Sequence, residues 1–179
     1  MSNETRRGLT RRQFLARGAA GAAGAAALPF LIPASVLGRD GAVAPSDRIV
    51  MGGIGMGGRG AYDLSVLLGM PDVQWVAVCD VLKRQRQAAK NLVDNKMGNY
   101  DCAAYSDMRQ LLAERTDVDA VLIATGDRWH ALASVLAMRA GKDVYCEKPA
   151  CLTMAQGQMV AETARRYARV YQTGAQRLS

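Results

Sequence analysis

The sequence predicts an α/β protein built on a doubly wound parallel sheet. From residue 47 onward, short β-rich runs alternate strictly with segments of helical periodicity, which is the pattern of parallel strands joined by right-handed helical crossovers. The run AVLIAT, residues 120–125, is nearly all apolar, as a central strand covered on both faces should be. A glycine-rich stretch, GGIGMGGRG, follows the first β-rich run.

Six strands and five helices are expected in chain order. The strands are predicted at residues 48–54, 73–79, 103–105, 120–125, 143–147 and 170–173. The helices are predicted at residues 59–68, 83–95, 108–115, 130–140 and 154–167. Residues 45–179 are thus expected to form one domain.

Residues 1–44 are expected to be a signal peptide and linker. The run TRRQFL, residues 10–15, resembles the twin-arginine export signal, and residues 18–38 are uncharged. That uncharged run contains four glycines and two prolines and no large apolar side chain before Leu28, which favours export over a membrane anchor. The expected partner is therefore the twin-arginine export machinery and the expected location the periplasm, with retention by an uncleaved signal left open.

The charge distribution argues against a nucleic-acid-binding surface. The formal net charge is +7, but residues 1–39 hold six arginines against Glu4 and so carry most of it. The remainder of the chain is only weakly basic, which is not the clustered charge that nucleic-acid binding needs.

The cysteines and the single histidine predict no metal site. Four cysteines show no C-x-x-C pair and no spacing typical of zinc ligands. Cys79 and Cys146 lie in apolar strand-like runs, so they are expected to be buried free thiols.

The glycine-rich stretch contains two overlapping G-x-G-x-x-G registers, one ending at Gly58 and the other at Gly60. In a dinucleotide-binding βαβ unit, the third glycine lets the first helix pack closely on the strand, so it lies on the buried face. Positions four, seven and eight residues after Gly60 are all leucine, whereas those after Gly58 are tyrosine, serine and valine. The apolar stripe predicts the register Gly55, Gly57 and Gly60.

Asp80 supports the same register and indicates the cofactor. It ends the second predicted strand 20 residues after Gly60, where an acid that holds the adenosine ribose is expected. A carboxylate repels a 2′-phosphate and therefore favours NAD, although Lys83 and Arg84 leave NADP open. The predicted cofactor-binding residues of this half are Gly55, Met56, Gly57, Gly58, Gly60 and Asp80.

Two further segments make a family resemblance specific. ATGDRWH, residues 124–130, follows the fourth predicted strand, and AGKDVYCEKP, residues 140–149, contains the fifth. With the glycine fingerprint and Asp80, these segments resemble the Gfo/Idh/MocA oxidoreductases in order and spacing, over about residues 46–179. QTGAQR, residues 172–177, matches another segment of that family.

The resemblance implies a Rossmann NAD(P)-binding domain with a redox site at the end of the fifth strand. Lys148 would hydrogen-bond the substrate hydroxyl and stabilise the alkoxide as hydride leaves, while Glu147 would position that lysine and the cofactor ribose. Thr125 and Gly126 would contact the ribose and nicotinamide side, although the family commonly has proline or asparagine at the second position. His130 would line the cleft as a third catalytic candidate.

The resemblance also implies a C-terminal α/β domain, which completes the substrate pocket and often mediates dimers in the family. This sequence contains no such domain, so the chain is expected to be a fragment or a truncated product. The full-length form is expected to be a homo-oligomer. Turnover by residues 1–179 alone is not expected, because the pocket that orients the substrate is incomplete.

The expected function is that of an NAD(P)-dependent oxidoreductase acting on a sugar, a cyclitol or another polyol. One alternative is an NAD-dependent glycoside hydrolase, which oxidises the sugar transiently and returns the hydride. The other alternative, from a different class, is a cofactor-binding protein without catalysis.

Overall fold

The computed structural model describes residues 43–175, which form a six-stranded parallel sheet flanked by five helices. The strands are β1 Ile49–Ile54, β2 Val73–Cys79, β3 Ala103–Tyr105, β4 Ala120–Ile123, β5 Asp143–Glu147 and β6 Tyr171–Gly174. The helices are α1 Gly58–Leu67, α2 Lys83–Met97, α3 Met108–Glu114, α4 Asp127–Arg139 and α5 Met154–Tyr167. None of these helices is long and apolar enough to cross a membrane. The predicted export segment and the end of the QTGAQR motif lie outside the described residues.

The strand order β3-β2-β1-β4-β5-β6 confirms the doubly wound sheet. The chain runs outward from β1 to β3, crosses back beside β1 and then runs outward again to β6, with every neighbouring pair parallel. The order therefore reverses between β1 and β4. In open sheets of this kind, ligands bind outside the carboxyl ends of the strands at that switch point.

Two apolar clusters cover the two faces of the sheet. Along β4, Val121 and Ile123 pack into the cluster shared with α3, α4 and α5, while Leu122 packs into the cluster shared with α1 and α2. All three side chains are fully buried. Both faces of the strand are therefore covered, which explains why its sequence is a continuous apolar run instead of an alternating one.

The region after β4 differs from the sequence prediction. The strand was expected to reach Thr125, but it ends at Ile123, and α4 begins at Asp127 instead of at His130. Gly126 is the N-cap of α4 with extended backbone angles, and Asp127 places a negative charge in the first helical turn. Most of the segment ATGDRWH is therefore a turn and a helix start.

Cys79 and Cys146 are buried free thiols, as expected, whereas Cys151 is partly exposed. All four are free, and Cys79 and Cys146 are buried within the sheet. Burial raises the pKa of Cys79 to about 12, because an apolar surrounding disfavours the thiolate. Cys79 therefore has a structural role in the core.

Candidate functional site

The loops that follow β1, β4 and β5 meet at the switch point of the sheet. A cavity of about 320 Å³ opens there. Its lining residues are Arg59, Ala124, Thr125, Asp127, His130, Glu147 and Lys148. A separate depression of about 480 Å³ lies beside the start of α5 and has no charged side chain in its lining. Of the two, the switch-point cavity is therefore the one lined by charged and titratable side chains.

The turn between β1 and α1 confirms the packing that selected the glycine register. Gly55 has φ +85°, and a Cβ there would lie 2.6 Å from the backbone nitrogen of Thr125. A Cβ on Gly60 would overlap the carbonyl oxygen of Gly55. At Gly58 a Cβ would meet nothing within 4 Å. Gly60 is thus the close-packing glycine, and no contact requires a glycine at Gly58.

The start of α1 fits a dinucleotide pyrophosphate. Gly57 is the N-cap and makes no side-chain hydrogen bond to the helix, so the first-turn N–H groups keep no side-chain cap. The nearest atom to a Cβ built on Gly57 would be 3.8 Å away, which leaves its backbone open to approach. An uncapped helix N-terminus beside a backbone without side chains is the arrangement that binds phosphate.

Asp80 is fixed against this turn by two backbone groups. Its Oδ2 accepts from the amide of Met56 at 2.8 Å, and its Oδ1 accepts from the amide of Leu82 at 2.8 Å. Each carboxylate oxygen keeps further lone pairs, so the anchored group can still accept from ribose hydroxyls. Met56, by contrast, has its side chain in the core and its amide on Asp80. It contributes to the site mainly by holding the acid.

Glu147 is buried at the end of β5 and is held by Arg59, a residue that the sequence analysis did not identify. Arg59 Nε donates to Glu147 Oε1 at 3.1 Å and to Asp63 Oδ2 at 3.0 Å, and its Nη2 lies 2.7 Å from Asp63 Oδ1. The guanidinium thereby joins α1 to the carboxyl end of β5. A signal was available: Arg59 and Asp63 are four residues apart on a predicted helix, the spacing of a helical ion pair.

Burial shapes the charge of this cluster. Asp63 is 8% exposed and Glu147 is 3% exposed. Burial raises the pKa of the Asp63 carboxyl, and the neighbouring Glu147 raises it further, while Arg59 opposes both effects. The guanidinium of Arg59 therefore contacts both of these shielded carboxylates.

Gly174 shows why the end of β6 also needs a glycine. A Cβ built there would lie 2.8 Å from Glu147 Oε1 and 2.9 Å from the hydroxyl oxygen of Tyr145. The backbone of β6 therefore comes close to the buried carboxylate. The glycine in the predicted QTGAQR segment is explained by this approach.

Lys148 follows Glu147 and is an exposed residue on the wall of the cavity. Its backbone amide donates to Glu147 Oε2 at 3.2 Å, and the Lys148–Pro149 peptide is cis. The structure thus brings together the predicted pair of Glu147 and Lys148, with the acid turned inward and the base turned toward the cavity. The buried Glu147 can therefore hold neighbouring groups in place, whereas the exposed Lys148 can contact a molecule bound in the cavity.

His130 joins the two loops that border the cavity. It is 1% exposed, its Nδ1 lies 2.7 Å from the carbonyl oxygen of Pro149, and its Nε2 lies 3.0 Å from that of Thr125. Both ring nitrogens therefore face backbone acceptors from the β5–α5 and β4–α4 loops. The geometry assigns His130 a positioning role, and its predicted participation in catalysis stays a prediction.

Thr125 and Gly126 lie on the β4 side of the cavity. Thr125 is part of the lining, and its hydroxyl donates to the carbonyl oxygen of Gly126 at 3.3 Å. Gly126 is exposed, and a Cβ there would meet nothing within 4 Å. Their predicted contacts with the cofactor would consequently be made mainly through Thr125 and the backbone.

Comparison with known proteins places the chain in one family. Residues 48–175 match the family model described as "Oxidoreductase family, NAD-binding Rossmann fold". An NAD-binding protein from Listeria innocua has a similar structure, with a TM-score of 0.62 and 28% identity over 73% of this chain and 36% of that one.

The relatives found by sequence have names that refer to glycoside hydrolysis. A glycosyl hydrolase family 109 protein from Porphyromonas gingivalis is 36% identical over 67% of this chain and 26% of its own length. An alpha-N-acetylgalactosaminidase from Shewanella oneidensis is 31% identical over 70% of this chain and 28% of its own. The chain spans about a quarter of the length of these relatives.

Alanine substitutions at two glycines of the fingerprint test the close packing of α1. In Gly60→Ala the new methyl group overlaps a backbone carbonyl, so we expect the free energy of unfolding to fall by about 1–3 kcal/mol or more. In Gly58→Ala the methyl group meets open space, so we expect a change within about 0.5 kcal/mol or a small gain. Urea unfolding measures both. Equal destabilisation of the two variants would contradict the assigned register.

Substitution of His130 tests its role as a link between loops. His130→Ala removes the buried ring that lies between the two carbonyl oxygens and leaves a cavity, so we expect the free energy of unfolding to fall by about 1–3 kcal/mol. Nucleotide affinity should fall with it, because both loops border the cavity. Leu132→Ala, at an exposed position of the same helix, is the control. Loss of turnover with unchanged stability and unchanged nucleotide affinity would instead indicate a direct catalytic role.

Proposed function

Because the protein belongs to the oxidoreductase family with an NAD-binding Rossmann fold, we propose that it transfers a hydride between a nicotinamide cofactor and a hydroxyl-bearing carbon of a sugar, cyclitol or polyol. The observation that carries this proposal is the position of Lys148. It is an exposed amine on the wall of the switch-point cavity, beside a glycine turn that fits a dinucleotide. The bound nicotinamide would supply the hydride acceptor or donor.

Lys148 would handle the proton of the reacting hydroxyl. A neutral amine accepts that proton as the alcohol is oxidised, and the resulting ammonium stabilises negative charge on the substrate oxygen. In the reverse direction the ammonium returns the proton to the alkoxide. Glu147 would support this chemistry from behind, because one of its carboxylate oxygens holds the amide of Lys148 and the other faces Arg59.

The cofactor we propose is NAD in preference to NADP. Asp80 holds a carboxylate at the edge of the cofactor turn, fixed by the amides of Met56 and Leu82. An anchored negative charge accepts hydrogen bonds from a free ribose and repels a 2′-phosphate. Lys83 begins α2 three residues later, and it would have to turn toward the ribose to compensate.

Hydrolysis of a glycosidic bond through transient oxidation is a second candidate function. The names of the relatives from Porphyromonas gingivalis and Shewanella oneidensis favour it. In such a reaction a sugar carbon is first oxidised, which acidifies the neighbouring C–H bond. The glycosidic oxygen then leaves by elimination, water adds, and the hydride returns to the sugar. Lys148 would serve the opening oxidation as it does in a dehydrogenase.

We also propose a substrate class, an oligomeric state and a location for the complete protein. The complete protein would act on a small-molecule sugar or polyol, and it would assemble as a homo-oligomer. The TRRQFL run at residues 10–15 supports export to the periplasm by the twin-arginine machinery. That route carries folded proteins, which suits a protein that binds its cofactor before export.

Replacement of Asp80 tests the cofactor preference. In Asp80→Ser the ribose loses an acceptor and the 2′-phosphate no longer meets a carboxylate, so we expect NADH to bind about tenfold more weakly, a change of about 1.4 kcal/mol, and NADPH to bind more tightly. Titration of nucleotide fluorescence measures both affinities. Asp72→Ser, at an exposed acid on the opposite edge of the sheet, should leave them unchanged. A wild-type protein that binds neither nucleotide would contradict the proposed function.

Replacement of Lys148 tests the chemistry in the complete gene product. Lys148→Met removes the amine that handles the proton, so we expect turnover to fall by about a hundredfold or more while nucleotide affinity stays within a few-fold of wild type. Accumulation of reduced nicotinamide with a free sugar or polyol would indicate a dehydrogenase. Release of sugar from a glycoside, without such accumulation, would indicate the hydrolase. Nucleotide binding without turnover, in both the wild type and Lys148→Met, would support a protein that only binds the cofactor.

A further inference from the structure

Asp127 and Lys148 are charged residues of the switch-point cavity that form no ion pair with any residue in the described range 43–175. Both are exposed. The other two charged residues of the lining, Arg59 and Glu147, contact each other at 3.1 Å. The cavity therefore offers a bound molecule one accessible carboxylate and one accessible amine.

Asp127 lies on the loop next to the one that carries Lys148. β4 and β5 are parallel neighbours, with Ile123 level with Cys146. Lys148 lies two residues beyond that level, and Asp127 lies four residues beyond it as the first residue of α4. Because neighbouring strands are about 4.8 Å apart, the two residues line one cavity from adjacent loops.

The cofactor turn directs the nicotinamide half of a dinucleotide toward this cavity. Asp80, which follows β2, can accept from the adenosine ribose, and the uncapped start of α1 beside β1 fits the pyrophosphate. In the strand order β2-β1-β4-β5, the remaining half of an extended dinucleotide would lie toward β4 and β5. Asp127 and Lys148 are at that end of the site.

The two redox forms of the nicotinamide differ in charge. The ring carries one positive charge when it is oxidised and none when it is reduced, whereas the rest of the dinucleotide is the same in both forms. A carboxylate beside the ring thus attracts the oxidised form more strongly. Of the two acids in the lining, Glu147 contacts the guanidinium of Arg59, and Asp127 contacts no cation among the described residues.

We propose that Asp127 binds the nicotinamide end of the cofactor as a counter-charge and raises the affinity of the domain for NAD⁺ relative to NADH. The inference rests on the proposed function, because it takes the cavity to be the place of the nicotinamide. It adds to that function a residue that sets which redox form is held more tightly. By linkage, such a residue lowers the reduction potential of the bound cofactor.

Asp127 also has a role that needs no cofactor. It is an acid in the first turn of α4, where a negative charge interacts favourably with the helix dipole. Loss of that interaction alone would affect the binding of every nucleotide alike. Nucleotides that differ in the nicotinamide ring therefore separate the two roles.

The test compares NAD⁺, NADH and ADP-ribose, which lacks the nicotinamide. Isothermal titration calorimetry on the full chain at low ionic strength gives the three dissociation constants. Asp127→Asn replaces the carboxylate by a neutral amide of similar shape, so we expect the affinity for NAD⁺ to fall by about threefold or more. The affinities for NADH and ADP-ribose should be unchanged. Added salt should reduce the effect on NAD⁺, because Asp127 is exposed to solvent.

Two further variants serve as controls. Asp127→Glu keeps the negative charge, so it should retain most of the preference for NAD⁺ that Asp127→Asn loses. Asp72→Asn changes an exposed acid at the opposite edge of the sheet and should alter none of the three affinities. Thermal melting of each variant measures any loss of helix stability separately.

The outcomes distinguish this inference from the proposed function. Equal affinity of wild type and Asp127→Asn for NAD⁺ would overturn the inference. An equal weakening of NAD⁺, NADH and ADP-ribose would also overturn it, because Asp127 would then act on the fold or on the shared part of the nucleotide. In both cases the wild type still binds nucleotide and the proposed function stands. A wild type that binds none of the three would contradict the proposed function, and the inference with it.

Discussion

The site depends on how closely α1 approaches the end of β1. The approach is possible because Gly60 has no Cβ to overlap the carbonyl oxygen of Gly55, and because Gly55 itself adopts a positive φ against the backbone of Thr125. These contacts set the height of α1 above the sheet and leave its uncapped N-terminus open at the switch point. A side chain at either glycine would separate the helix from β4 and displace every group that the helix carries.

The same approach allows one arginine to reach across the site. Arg59 is one residue before Gly60, so the position that brings the helix close also brings the guanidinium to the end of β5. There it meets Glu147, while the backbone of Gly174 in β6 approaches the same carboxylate from the far side. The acid is enclosed between α1 and β6 and can hold the turn that carries Lys148. Cofactor turn, buried acid and exposed base are therefore parts of one packed arrangement.

Sequence patterns predicted the parts of this arrangement that follow from local periodicity. The bounds of β2, β3, β5 and α5 were predicted to the residue, because apolar strands and amphipathic helices are separated there by clear turn residues. The start of α4 was misplaced because Gly126 and Asp127 looked like a loop, although a glycine N-cap and a first-turn acid also begin helices. The role of Arg59 was missed because its second partner, Glu147, lies 88 residues further along the chain. The sequence indicated His130 as a candidate site residue but not its contacts. Its two carbonyl partners come from different loops, so only the fold shows them.

The two catalytic functions under consideration require the same groups from this domain. A dehydrogenase and a transiently oxidising glycoside hydrolase both begin when a hydroxyl proton and a hydride leave one sugar carbon, and both need an amine beside the carbonyl-forming oxygen. They diverge only afterwards, when the hydrolase must expel the glycosidic oxygen and retain its reduced cofactor. The exposed position of Lys148 on the cavity wall suits either reaction, because both require an amine that can exchange a proton with the substrate hydroxyl. A chain that matches a family named for oxidoreduction can therefore also be similar to proteins named as hydrolases, and the choice between the two reactions falls to groups that contact the leaving oxygen.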